Sequence, residues 1–252
     1  MVDVTRKLEI GRVFRDTIAA LRREGGLLAG LTLLLSLPGV ALSLIQFVTL
    51  GPVGARDPQF MSSPIYWGSL LLSTVIGLVM WAAQLHVGIA ALEGRRVELR
   101  DSLAAGVRKL APLIGVFFLS GLGAALGMLL FVVPGVILAL MWAVSSPVIV
   151  GETSNVMKAL GRSRQLTKGN RWRIFGLATL IWIIAMVVFM ALGVVGGVFG
   201  LLTPGGLGAL FLVVSSVATF VFYLVLSVGT AALYVQLREL KGGGAAVAQV
   251  FA

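Results

Sequence analysis

Six stretches of this chain contain no Asp, Glu, Lys or Arg: residues 27–50, 65–92, 111–133, 136–150, 174–202 and 207–235. A helix needs about 20 apolar residues to cross ~30 Å of hydrocarbon. Lipid offers the backbone no hydrogen bonds, so runs of this kind must satisfy their own N–H and C=O groups as α-helices. They predict an all-α, polytopic transmembrane helix bundle of about six spans, built as a single integral membrane domain over 1–252. Composition points the same way. The chain is 58% hydrophobic and only 12% charged, whereas soluble domains carry about 25% charged residues to face water.

The fourth run is short. Fifteen residues at 1.5 Å each cover only about 22 Å. It either borrows from the Val132-Val133-Pro134-Gly135 turn or forms a re-entrant hairpin with the third run. Both alternatives return the chain to the same side. The Gly/Ala-rich tail over 242–252 is expected to be flexible, and the 51–64 connection holds Pro52, Pro58 and Pro64.

The net charge of +10 is not spread evenly. Every basic residue but Arg56 lies before the first run, between the second and third, between the fourth and fifth, or after the sixth. This asymmetry marks cytoplasmic segments. It predicts a multi-pass protein of the bacterial inner membrane with both termini in the cytoplasm. The basic residues lack interleaved aromatics, so no nucleic-acid partner is expected. About 26 largely polar residues precede the first run, a pattern unlike a cleavable signal.

The basic segments also have helical faces. Over 8–24, Ile10, Phe14, Ile18 and Leu21 share one face, with Arg12, Arg15, Arg22 and Arg23 opposite. Leu99, Leu103, Val107 and Leu110 repeat the spacing, and 155–167 form a more polar version. Ser154 or Asn155 suits its N-cap and Gly169-Asn170 its stop. Each segment leads into an odd-numbered span, which suggests three units of interfacial helix plus helical hairpin. Such helices bury aliphatic side chains at the bilayer surface and attract anionic headgroups.

Chemistry has little to work with. Without Cys there are no disulfides or thiolate sites, and one His cannot build a multi-His metal site. His86 is the one titratable group of the basic or acidic kind inside an apolar run. Without an intramembrane carboxylate, its expected role is interhelical packing or hydrogen bonding near Gln84. Gly123-x-x-x-Gly127 and Gly193-x-x-x-Gly197 are small-residue spacings that let helices approach, within the chain or in a homo-oligomer. Pro38-Gly39 interrupts the first run and Pro147 lies in the fourth, unmatched breaks that suggest kinks rather than a transport site.

Residues 134–174 carry an unusual series: Pro134-Gly135-Val136-Ile137, Ala159-Leu160, Arg162-Ser163, Leu166-Thr167, Gly169-Asn170, Trp172 and Ile174. Tyr234-x-x-Leu237-Arg238-Glu239 closes the last run. This series resembles the bacterial family named for the membrane domain of glycerophosphoryl diester phosphodiesterases, together with related six-span inner-membrane proteins. The likeness covers roughly the last 110 residues. In the enzymes that carry this domain, hydrolysis belongs to a separate soluble barrel with His and acidic residues. The resemblance therefore implies a stand-alone membrane module rather than a phosphodiesterase. Within the same stretch, Arg162, Arg164, Lys168, Arg171 and Arg173 surround Trp172. An indole beside guanidinium groups is an interface anchor, and the cations suit a phosphate headgroup.

The function expected is that of a non-enzymatic inner-membrane protein without cofactor or metal, a lipid-engaging accessory or scaffold whose partners are anionic membrane lipids. The alternative is a transporter or channel for a small or lipid-like solute. An intramembrane enzyme would depend on His86 alone.

Overall fold

A computed structural model of the chain describes residues 7–54, 62–202 and 206–250. The loop residues Arg56 and Pro58 lie outside these. The helices are α1 (Ile10–Gly54), α2 (Pro64–Leu92), α3 (Leu99–Arg108), α4 (Leu110–Leu130), α5 (Val132–Met141), α6 (Ser145–Gly151), α7 (Val156–Thr167), α8 (Arg171–Leu202) and α9 (Gly206–Val250). No strand occurs among the described residues. Six helical stretches are long and apolar enough to cross a bilayer: Ile10–Leu42, Pro64–Leu92, Leu110–Leu130, Val132–Gly151, Arg171–Gly196 and Val213–Gly242.

The first of these differs from the sequence reading in one respect. The interfacial segment and the first span are a single unbroken helix, and neither Gly25-Gly26 nor Pro38-Gly39 ends it. A proline removes one intrahelical hydrogen bond. Opening further peptide groups in hydrocarbon would cost several kcal/mol each, so the helix runs through. At the other end, the backbone of α9 stays helical across the Gly/Ala-rich stretch as far as Val250.

The short fourth run gains its length by borrowing. A single extended residue, Phe131, separates α4 from α5. Pro134 sits in the first turn of α5, where its missing N–H costs no helical bond. A turn at Trp142–Val144 then joins α5 to α6, giving the 20-residue stretch to Gly151. The α4–α5 hairpin closes through glycine. A Cβ on Gly135 would lie 2.6 Å from the Met128 backbone nitrogen, and one on Gly127 would lie 2.8 Å from the Gly135 Cα. Its tip projects, with Leu129 83% exposed.

Helices α1, α2 and α9 pack side by side, with α8 beside α9. Burial is lopsided. On α2 the buried positions run from Val79 to Ala91, and on α9 the core positions run from Ser227 to Leu237. On α8, Ile174 and Leu177 are buried, and none of residues 178–196 is. The packed core therefore lies towards one end, which also carries Arg12, Arg95, Arg238 and the α7–α8 turn. This is the basic end of the molecule. The opposite halves present exposed apolar side chains such as Leu71, Ile183 and Val221. In lipid that exposure carries no penalty.

Candidate functional site

The basic end is assembled from helix termini and the residues that cap them. Asn155 caps α7 by accepting the Lys158 N–H at 3.1 Å. Gly169 ends the α7 region with φ +90°, a backbone conformation that favours glycine. The Asn170 carbonyl then receives the N–H groups of Arg173 and Ile174, both at 3.0 Å, and so starts α8. The Asn170 side-chain oxygen accepts the Leu8 N–H at 3.0 Å, and Arg173 donates to the Leu8 carbonyl. The chain before α1 is thereby tied to the start of α8. Arg12 meets Glu239 at 2.7 Å on α9, and Arg23 donates to the carbonyls of Ala91 and Gly94 at 3.1 and 2.9 Å. Those carbonyls lie in the last turn of α2 and just beyond it, where helical partners run out.

A second constellation connects family-like residues to two acids that sequence reasoning passed over. The Tyr234 hydroxyl donates to Glu152 at 2.8 Å, and the other Glu152 oxygen accepts from Arg162 at 3.0 Å. Arg238 lies 5.4 Å from the centroid of the Tyr234 ring and donates to Glu93, which Arg95 also reaches. Burial pushes the Glu93 carboxyl up, but the hydrogen bonds from Arg95 and Arg238 outweigh it and hold the group below its usual range. Glu93 and Glu152 each stand immediately beyond an apolar run or within two residues of one. A lone acid at that place, facing so many bases, was the available signal.

The six residues predicted as a headgroup site do not act as one group. Arg162 and Arg173 are committed to Glu152 and to the Leu8 carbonyl. Arg164, Lys168 and Arg171 form no ion pair among the described residues. Lys241 approaches the same place, donating to the Lys168 carbonyl at 3.0 Å. Trp172 is 85% exposed and meets Phe175 edge to face at 6.1 Å. The Nε of Arg171 is buried and bonded to nothing among the described residues.

The amphipathic faces are also apportioned by packing. On α1, Val13, Thr17 and Ala20 turn inward while Phe14 and Ile18 stay exposed. On α3 the small residues Ser102, Ala105 and Gly106 face α2, and a Cβ on Gly106 would lie 2.7 Å from the Val79 carbonyl oxygen. Leu99 and Val107 remain exposed.

The packing candidates divide as well. Gly123 lies against the Trp142 ring, where a Cβ would come within 2.6 Å. Gly193 has nothing within 4 Å, and the surroundings of Gly197 fall outside the described contacts. His86 is half-buried on α2 and makes no hydrogen bond among the described residues. Its neighbour Gln84 does, donating to Thr32 at 3.1 Å and accepting from Ser227 at 2.9 Å, so that α1, α2 and α9 share one buried polar link. Among the described residues no three His, Cys, Asp or Glu side chains converge as metal ligands.

Cavities also lie between the helices among the described residues, and two of them bear on function. One, of about 300 Å³, lies between the far halves of α1, α2 and α9 and is lined by Gly39, Tyr66, Ser69, Ser73, Ser216 and Phe220. The other, of about 390 Å³, is a groove between α5 and the first turn of α8.

A sequence profile of the family described as the membrane domain of glycerophosphoryl diester phosphodiesterase matches residues 113–242, from α4 through the Tyr234–Arg238 region. The chain belongs to this family. As a member of the glycerophosphoryl diester phosphodiesterase membrane-domain family, it is an integral membrane protein whose matched region includes Glu152, Arg162, Asn170, Arg173, Tyr234 and Arg238, while Leu8, Arg12, Arg23, Glu93 and Arg95 lie before it. It is similar to a UPF0259 membrane protein of Pectobacterium carotovorum subsp. carotovorum (strain PC1), 31% identical over 98 residues, 39% of each chain. It is also similar to UPF0259 membrane proteins of Yersinia pestis (strain Pestoides F) and Yersinia pseudotuberculosis serotype O:1b (strain IP 31758). Each of these is 29% identical over 121 residues, 48% of this chain and 47% of the relative. The chain thus spans less than half the length of the curated relatives it matches. No solved structure matches it.

Proposed function

We propose that this member of the membrane-domain family is a non-enzymatic module of the bacterial inner membrane that engages anionic lipids through its basic end and serves there as an accessory or scaffold. The observation that carries the reading is the pairing of spent and unspent cations. Arg162, Arg173 and Arg238 are used inside the protein, whereas Arg164, Lys168 and Arg171 form no ion pair among the described residues, at the end that also carries the exposed Trp172. Exposed apolar side chains at the same end, Phe14 and Ile18 on α1 and Leu99 and Val107 on α3, extend the surface. Each cation near an anionic leaflet contributes about 1 kcal/mol, and the aliphatic groups bury in the interface. The charge asymmetry supports cytoplasmic termini.

Native mass spectrometry of the purified protein tests this. Wild type should keep phosphatidylglycerol in preference to phosphatidylcholine, and a triple Ala variant at Arg164, Lys168 and Arg171 should lose the preference. Equal retention of both lipids by both proteins overturns the reading. Reporter fusions after residue 241 and within 95–98 should report the cytoplasm.

A second reading, transport of a small or lipid-like solute, draws on the hydroxyl-lined cavity at the far end and the Thr32–Gln84–Ser227 link at the core. Solute-dependent flux in proteoliposomes would favour it over the scaffold reading.

A further inference from the structure

The groove between α5 and α8 combines features that a simple lipid-facing surface does not need together. Val132, Val136 and Leu140 recur at four-residue intervals and so share one face of α5. Opposite them stand Arg171, Trp172 and Phe175 from the first turns of α8. Arg171 is the one charged residue among those lining it. Arg171 is partly buried, and its Nε, fully buried in this apolar setting, meets no hydrogen-bond partner among the described residues; a buried donor left unsatisfied is costly. Among the described residues no acid forms an ion pair with Arg171. Glu93, Glu152 and Glu239 are already paired with Arg238, Arg162 and Arg12, while Lys168 and Lys241 add further positive charge. A second copy of this chain would bring the same basic face. What the groove lacks is an anion joined to an apolar chain.

We propose that the groove seats one acyl chain of an anionic phospholipid, with the phosphate on Arg171 and the Trp172 indole at headgroup depth. The proposal rests on the lipid-engaging reading above and gives it a defined site. A volume of about 390 Å³ is in the range of built ligand pockets, about 300–1,000 Å³. Basic pockets between membrane helices on the cytoplasmic side are where headgroups of anionic lipids bind. Guanidinium geometry suits two phosphate oxygens at once.

The test uses the full chain in nanodiscs of phosphatidylglycerol or of phosphatidylcholine, each doped with the same lipid carrying a diazirine in its acyl chain. After irradiation and digestion, adducts are mapped by mass spectrometry. Phosphatidylglycerol adducts should concentrate on residues 132–140 and 171–175. Arg171→Gln should lower them about tenfold, as expected for losing one charge-assisted hydrogen bond, and leave phosphatidylcholine labelling unchanged. Val133→Trp, at an exposed lining position, should block the label with Arg171 intact, and Val136→Trp replaces it if that variant does not fold. Equal labelling of the groove by the two lipids, or phosphatidylglycerol labelling that Arg171→Gln leaves untouched, overturns the site. Absent groove labelling with whole-protein phosphatidylglycerol preference intact removes the site and leaves the lipid-engaging reading standing. Loss of both removes both.

Discussion

Tyr234, fully buried on α9, donates its hydroxyl to Glu152 at 2.8 Å across 82 residues of sequence. Glu152 sits on the turn between α6 and α7, so this one bond joins the hairpin half of the molecule to its long-helix half. The same carboxylate takes Arg162, and the same ring lies beneath Arg238. Two residues of the family-like series, Arg162 and Tyr234, are thus held by one acid, and Arg238 is held by another, Glu93.

Tyr234→Phe should therefore lower stability by about 1 kcal/mol, the usual net value of one hydrogen bond. Glu152→Ala should cost more, because it also frees Arg162. The double variant should fall short of the sum of the two, since the residues share a bond. Thermal unfolding in detergent of the four proteins measures this, and strict additivity would remove the bond from the account.

Acid should weaken the basic end through Glu93. Its carboxyl is held below the usual 4.5 by Arg95 and Arg238 despite burial. A group depressed in the folded state contributes stability that is fully present above its unfolded pKa and is lost as pH falls through the folded one. Melting temperature should hold at neutral pH and drop below about pH 4.5. Glu93→Gln should melt lower than wild type at pH 7 and show a flatter acid limb. An unchanged acid limb in that variant speaks against the assignment.

Glycine substitutions should separate close approach from open helix. Gly135→Ala puts a methyl into the Met128 backbone and should cost about 1–3 kcal/mol as overpacking. Gly193→Ala meets open space and should be neutral or stabilising by up to about 1 kcal/mol through helix propensity. Melting both variants in one detergent gives the comparison, and equal effects would contradict the hairpin contact.

Gln84→Leu should be mild. Thr32 and Ser227 keep their own backbone acceptors, Leu28 and Leu224, and interhelical polar links in membranes average about 0.6 kcal/mol. A loss several times larger in thermal unfolding would show that the link organises the three-helix core.

Much of this architecture was legible in advance. The six ion-free runs named the spans, and the borrowing of Val132–Gly135 by the short fourth span was one of two readings left open. The family-like series from Pro134 to Ile174 lies in the region that the family profile matches. The site was less legible. Arg162, Arg164, Lys168, Arg171 and Arg173 look alike along the chain, and nothing local says that Leu8 or Glu152 will claim two of them. Glu93 and Glu152 were passed over because an acid at a span end reads as ordinary loop charge until its partners are in view.

The division has a physical cause. Local composition alone determined that the chain is helical and resides in lipid, because hydrocarbon leaves the backbone of an apolar run only one way to satisfy itself. The same holds for the charge bias that distinguishes its two ends. Tertiary structure decided how each cation is used, since its partner lies up to 165 or 227 residues away and arrives only when α1, α8 and α9 pack. It decided likewise that Arg173 meets the Leu8 carbonyl while the Nε of Arg171, at the edge of an apolar groove, meets no partner among the described residues.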